Sequence, residues 1–192
     1  MRKVALSIIV VLLTCSLFAQ ETGVSNEANQ DFAPRGYIGI SFGPAFPTGD
    51  IDSDAISGGV HLNLVSFGYL FSKHVGIAAT WFGTSFVSKN DSKNSIGMGG
   101  LLAGPLFSTS TSTGKFEYDF KPMIGFANGT VITNNKASSS DRAIAFGVGG
   151  AIRWNCWSKI SLSCGIDYYS GKPESVDLSS SALVIGINYR LR

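Results

Sequence analysis

From Gly36 to the C-terminus, hydrophobic and polar residues alternate with a period of two, in segments of about ten residues parted by polar stretches. That is the mark of strands with two unlike faces, and the length suits a tilted membrane strand. The last third is clearest. Over 143–155, Ile144, Phe146, Val148, Ile152 and Trp154 fall on one face and Ala145, Gly147, Gly149, Ala151, Arg153 and Asn155 on the other. Over 159–169, Ile160, Leu162, Cys164, Ile166 and Tyr168 oppose Ser161, Ser163, Gly165, Asp167 and Tyr169. Leu183, Ile185, Ile187, Tyr189 and Leu191 alternate with Val184, Gly186, Asn188 and Arg190. Over 116–127, Phe116, Tyr118, Phe120, Ile124 and Phe126 oppose Glu117, Asp119, Lys121 and Gly125. Pro122 predicts a local bulge or kink in that strand, because proline cannot donate to a ladder.

The first half carries four more segments. Over 36–46, Ile38, Ile40, Phe42 and Phe46 lie in phase; over 75–86, Val75, Ile77, Ala79 and Trp81 do so. Over 59–71 the phase flips, from Val60, Leu62 and Leu64 to Phe67, Tyr69 and Phe71, and a bulge near Val65–Ser66 reconciles the two halves. The segment 96–107 is Gly-rich and apolar on both faces, so its facing stays open. Eight strands result. Short connections at 72–73, 108–115 and 156–158 alternate with longer ones at 47–57, 87–94, 128–142 and 170–179, as when the two ends of a barrel face different compartments.

Charge decides which face meets solvent. The charges inside strands are Glu117, Asp119, Lys121, Arg153, Asp167 and Arg190, and all six share the face opposite the apolar one. With the apolar face toward lipid, no strand charge meets hydrocarbon, where Arg or Lys costs about 2–4 kcal/mol at the midplane. The six then form a structural charge network in a narrow interior, beside Gly, Ala and Ser. Phe46, Phe86, Phe116, Trp154, Tyr168 and Tyr189, at strand ends, supply aromatic girdles. The rival is a soluble barrel with the faces exchanged. It fits poorly: its exterior would be Gly, Ala and Ser, and its interior would hold more large side chains than a small barrel contains.

Composition agrees. Only 15% of the 192 residues are charged, against 44% hydrophobic, and there are 23 glycines. At the N-terminus, Arg2 and Lys3 precede an apolar run from Val4 to Leu13, and a small residue at Ala19 suits cleavage before Gln20. A lipoprotein signal ending on Cys15 is the alternative, with Thr14 a poor fit. The expected organisation is a signal peptide over 1–19, a flexible segment over 20–35 and the barrel over 36–192. Cleavage removes two of the 15 bases and none of the 13 acids, leaving net charge zero. No basic patch points to nucleic acid. Cys156 and Cys164 are not opposed and have no Cys/His neighbours, so neither a disulfide nor a metal site is expected.

These passages resemble the outer-membrane β-barrel domain superfamily, which includes OmpA- and OmpX-like eight-stranded barrels. The resemblance rests on Gly39 to Asp50, a first strand entering a Pro-x-Gly-Asp loop, on Phe67 to Ser72, on Lys121 to Phe126, and on the C-terminus. There Gly186, Tyr189 and Leu191 are similar to the barrel-assembly signal, although the chain ends on Arg192 and not on an aromatic. The resemblance covers 36–192. It implies an all-β, eight-stranded antiparallel up-and-down transmembrane barrel in the bacterial outer membrane. It further implies contact with outer-membrane lipid, with the barrel-assembly machinery during insertion, and a monomeric state.

The chemistry is sparse. His74 falls at a turn. His61, near the outer end of the second strand, reads as a rim residue, since no His-x-Ser-Asn motif like that of the lipid A deacylases occurs. The glycines at 147, 149 and 150 lie in a strand without a following helix, so they do not form a phosphate loop. The reading is a non-enzymatic barrel with a structural or surface-contact role, without catalytic residues, cofactor or metal. The alternative is a porin-like channel or carrier for small solutes or apolar molecules.

Overall fold

A computed structural model of the chain describes residues 35–48, 56–89, 94–133, 136–139, 142–171 and 178–191. The predicted signal peptide and most of the predicted flexible segment lie outside them. Nine strands form one antiparallel sheet: β1 (Arg35–Pro47), β2 (Ile56–Leu70), β3 (Val75–Ser88), β4 (Ser95–Ser110), β5 (Phe116–Thr133), β6 (Lys136–Ser139), β7 (Ala143–Trp154), β8 (Ile160–Gly171) and β9 (Leu178–Leu191). Each wall strand pairs with the next one in the chain, β5 with β7 across the short β6, and β9 returns to β1, so the sheet closes. Eight strands form the wall. The short β6 continues the line of β7 along β5, pairing Thr130–Thr133 with Lys136–Ser139, while β7 pairs with Phe116–Ala127. The expected loop at 128–142 is thus partly strand. Backbone pairing across Thr130–Thr133 satisfies groups that an irregular loop would leave to water.

The faces are as the period dictates. On β7, Ile144, Phe146, Val148, Ile152 and Trp154 point out, and Ala145, Gly147, Gly149 and Arg153 point in. The same rule resolves β4: Met98, Leu102 and Leu106 face the bore, Leu101 and Phe107 the outside. Among the described residues, more than twice as many hydrophobic side chains are exposed as are buried, the reverse of a soluble domain. The barrel has the inside-out polarity of a transmembrane barrel. Phe86 departs from the expected girdle: it is 3% exposed and packs inside with Ala45, Ala182 and Val184. On β3 the even-numbered residues from Ala78 to Phe86 face the bore, and Phe86 shares their parity.

On β2 the phase flips as expected, within a residue of the predicted place. Against β3 the register shifts between Asn63 and Val65, so His61 and Asn63 point in before it and Ser66, Gly68 and Leu70 after it. Pro122 produces no bulge. Pairing of β4 with β5 runs from Ser95↔Ile132 to Ala103↔Ile124 and resumes at Phe107↔Phe120 in the same register. That register sets Pro105 opposite Pro122. Two residues without N–H groups face each other, so the ladder is interrupted and the strands keep step.

The abundant glycines have a partner pattern. Tyr37 pairs with Gly68 and Phe86 with Gly59, and each ring lies where the glycine's side chain would stand. Tyr169 packs over Gly147 in the same way. A bore this narrow accepts a ring only where the neighbouring strand has no side chain.

Candidate functional site: the filled bore

Three short connections, 71–74, 111–115 and 155–159, define a turn end; the longer ones define a loop end. Between them the bore holds two polar clusters.

The first lies toward the turn end. Arg153 of β7 reaches two acids on β5. Its Nη2 is 2.6 Å from Glu117 Oε2, and its Nε and Nη2 donate to the two oxygens of Asp119 at 2.8 and 3.1 Å. The Tyr37 ring lies 3.9 Å below the guanidinium carbon. All four side chains are buried. A planar fork with five donors suits two carboxylates and one π face at once. Asn155 extends the cluster, donating to Glu117 Oε1 at 3.2 Å.

The second centres on Asn63. Its amide donates to Ser41 Oγ at 2.8 Å and to Asp167 Oδ2 at 3.0 Å, and its carbonyl faces His61 Nε2 at 2.9 Å and accepts from the Tyr169 hydroxyl at 3.2 Å. His61 Nδ1 lies 2.7 Å from Thr84 Oγ1. Because an amide oxygen only accepts, the proton of neutral His61 sits on Nε2 and Thr84 donates to Nδ1. Lys121 Nζ stands 3.8 Å from Asp167 Oδ1. In the ladder Lys121 pairs with Gly149, which pairs with Asp167, so the ion pair reaches across the glycine. A Cβ there would lie 2.5 Å from both Asp167 Oδ1 and Lys121 Cε.

Above this cluster the rings of Phe82, Tyr169 and His61 stack, with centroids 4.1 Å apart for Phe82–Tyr169 and 5.0 Å for Tyr169–His61. His61 is therefore not a rim residue. It is fully buried, because β2 runs up to Ile56 and its odd positions here face the bore.

Of the six charges read from the sequence, Glu117, Asp119 and Arg153 come together, and Lys121 meets Asp167. Arg190 is half-buried at the turn end, lining a cavity with Glu117 and Arg153. His61, Asn63, Ser41, Thr84, Tyr37, Phe82 and Tyr169 complete the bore. Parity carries their signal, since each shares the inward phase of its strand. Gly186, Tyr189 and Leu191 lie on β9, with Tyr189 outward. His74 is exposed in a turn, its Nδ1 3.1 Å from Ser108 O. Cys156 and Cys164 are free thiols.

The bore leaves little space. Two cavities inside it measure ≈ 30 and ≈ 20 Å³, the second between the clusters and lined by Asp119, Lys121 and Asp167. A single water needs about 10–15 Å³, so these two have room for no more than about three waters and about two waters, and for no solute. His61 and Thr84 are within reach for proton transfer, but both side chains are buried in the bore. An open groove of ≈ 430 Å³ that Thr84 also lines, with Val60, Leu62, Gly83, Gly97 and Gly99, lies on the outer wall, where Val60 and Leu62 are exposed. Among the described residues no group of three His, Cys, Asp or Glu could hold a metal ion.

Solved structures share this architecture. Neisserial surface protein A superposes with TM-score 0.65 at 16% identity, over 80% of this chain and 96% of its own. Ail, the attachment invasion locus protein of Yersinia pestis, gives 0.55 at 13%, over 83% and 100%, in its complex with the heparin analogue sucrose octasulfate. OprG of Pseudomonas aeruginosa gives 0.50 at 14%, over 83% and 97%. The fold is that of the small outer-membrane β-barrels. No protein-family model and no curated protein matches the sequence. In this barrel the bore is closed by side chains held in two hydrogen-bonded clusters.

Proposed function

We propose that the chain is an integral outer-membrane barrel that acts as a structural or surface-contact element of the envelope and is not an enzyme. The observation that carries the reading is the inverted polarity: an apolar wall around a bore whose fully buried charges are paired and whose described inner cavities are water-sized. A wall of this kind is stable only in lipid or detergent, and a bore of this kind neither conducts nor offers a substrate site. The fold shared with Neisserial surface protein A and Ail, a surface protein and an attachment protein by name, supports placing the loop end outside. Strand β9, with Gly186, Tyr189 and Leu191, is the segment offered to the barrel-assembly machinery, and the closed sheet without free barrel edges suits a monomer.

The test is membrane fractionation with heat-modifiable gel mobility, followed by planar-bilayer recording on the refolded protein. The expected result is a detergent-dependent species whose mobility changes on boiling and which gives no single-channel steps. A monomer soluble without detergent overturns the membrane reading. Stable conductance steps overturn the closed bore and favour the channel.

A further inference from the structure

Charge is unevenly distributed along the barrel axis. Each short turn carries one exposed lysine: Lys73 in 71–74, Lys115 in 111–115 and Lys159 in 155–159. None of these turns contains Asp or Glu. None of the three lysines takes part in the salt bridges among the described residues. Among the described residues, the carboxylate nearest this end, Glu117, is buried against Arg153. By contrast, the longer connections mix signs: by sequence position they carry Asp50, Asp52, Asp54, Asp91, Asp141, Glu174 and Asp177 together with Lys89, Lys93, Lys136, Arg142 and Lys172.

The spacing is regular. The turns join β2 to β3, β4 to β5 and β7 to β8, every second gap around the eight-strand wall. The fourth such gap is the β1–β9 junction, where Arg35 and Arg190 stand half-buried. Basic groups therefore ring the whole circumference and are not gathered on a single face. Each lysine is close in sequence to an outward aromatic, Phe71, Phe116 or Trp157, exposed by 57, 40 and 63%. Outward aromatics at strand ends mark the depth of the bilayer interface. A lysine beside them lays its stem on apolar surface and holds its ammonium at headgroup level.

We infer that the turn end is a collar for anionic phospholipid headgroups of the leaflet that it faces. The inference rests on the membrane reading above. A ring at interfacial depth meets lipid on every side, whereas a globular partner would touch one arc of it. A basic residue near an anionic surface strengthens association about fivefold at low salt.

The test is quenching of tryptophan fluorescence in vesicles that mix phosphatidylcholine and phosphatidylglycerol, with one or the other brominated. A Trp81→Phe background leaves Trp154 and Trp157, both near the turn end, as reporters. The mature protein is expected to prefer phosphatidylglycerol about fivefold at low salt, and to lose the preference in 0.5 M salt. The triple variant Lys73→Gln, Lys115→Gln, Lys159→Gln is expected to show a ratio near one, and Lys136→Gln with Arg142→Gln, at the loop end, an unchanged ratio. No preference in the parent protein, or an equal preference in the triple variant, overturns the collar. So does a preference that emerges only after residues 20–34 are deleted, because the acids Glu21, Glu27 and Asp31 would then be its occupant. Heat-modifiable mobility in the same vesicles keeps the two readings apart: a variant that inserts and lacks the preference bears on the collar, and a protein that fails to insert bears on the membrane reading.

Discussion

At the scale of single residues, the bore is held by groups that cannot be removed one at a time. Arg153 faces two buried carboxylates, and deleting it leaves both without a counter-charge. Breaking a buried ion pair on one side typically costs about 3–5 kcal/mol, because the remaining charge stays desolvated. Arg153→Met is expected to lower unfolding stability by about that much, measured by urea titration in vesicles. Adding Glu117→Gln and Asp119→Asn should recover most of it, since neutral amides need no counter-charge. An equal loss in single and triple variants would mean that packing, not charge, sets the cost. Gly149 is the second such position. A methyl there displaces the Lys121–Asp167 pair, and overpacking of a tight core costs about 1–3 kcal/mol. Gly149→Ala is expected to fall in that range, whereas Gly150→Ala, outward with open space around its Cβ, should be near neutral. Equal effects at the two sites would rule out the crossing ion pair as the cause.

At the scale of elements, period-2 alternation made most of the strands legible, because a closed barrel sorts every side chain to one of two environments. The alternation also put Glu117, Asp119, Lys121, Arg153, Asp167 and Arg190 on the inner face. What it left hidden depends on pairing between distant strands. Asn63 reads as one more polar residue until Asp167, 104 positions later, comes within 3.0 Å. Its strand-end position suggests a girdle for Phe86, but parity decides, and on β3 parity turns it into the bore. A lone proline disrupts a ladder and so suggests a bulge at Pro122; its opposite number on β4 is also proline, so neither strand needs to slip. The Pro105–Pro122 crossing makes a prediction at this scale. Restoring a donor adds a hydrogen bond of about 0.5–1.5 kcal/mol, while removing proline returns about 0.4–1 kcal/mol of unfolded-chain entropy. The two nearly cancel, so stability is a poor readout. Amide exchange is the better one: Pro122→Ala is expected to slow exchange at residues 103–107 and 120–124, by closing the interruption. Unchanged exchange would show that the gap is held open by something other than the missing N–H.

At the scale of the whole molecule, one substitution separates the two ways a barrel of this pattern can be read. Ile185 stands on β9, 55% exposed and flanked by Ile40, Phe42 and Ile187 on the same outward surface. In a soluble barrel, a lysine at an exposed strand position changes stability by little, within about 0.5 kcal/mol, and improves solubility. In a lipid-facing wall it puts a charge against hydrocarbon, at a cost of about 2–4 kcal/mol near the midplane that falls to about 0–1 kcal/mol at the interface. Ile185→Lys is therefore expected to destabilise the barrel by kilocalories when it is unfolded from bilayers. Leu191→Lys, at the turn end of the same strand, should cost little. The depth dependence is the diagnostic part. A packing defect would not fade toward the end of β9 in step with the bilayer, whereas a solvation penalty must. Equal small effects at both positions would place this wall in water, and with it every inference drawn from the outward face.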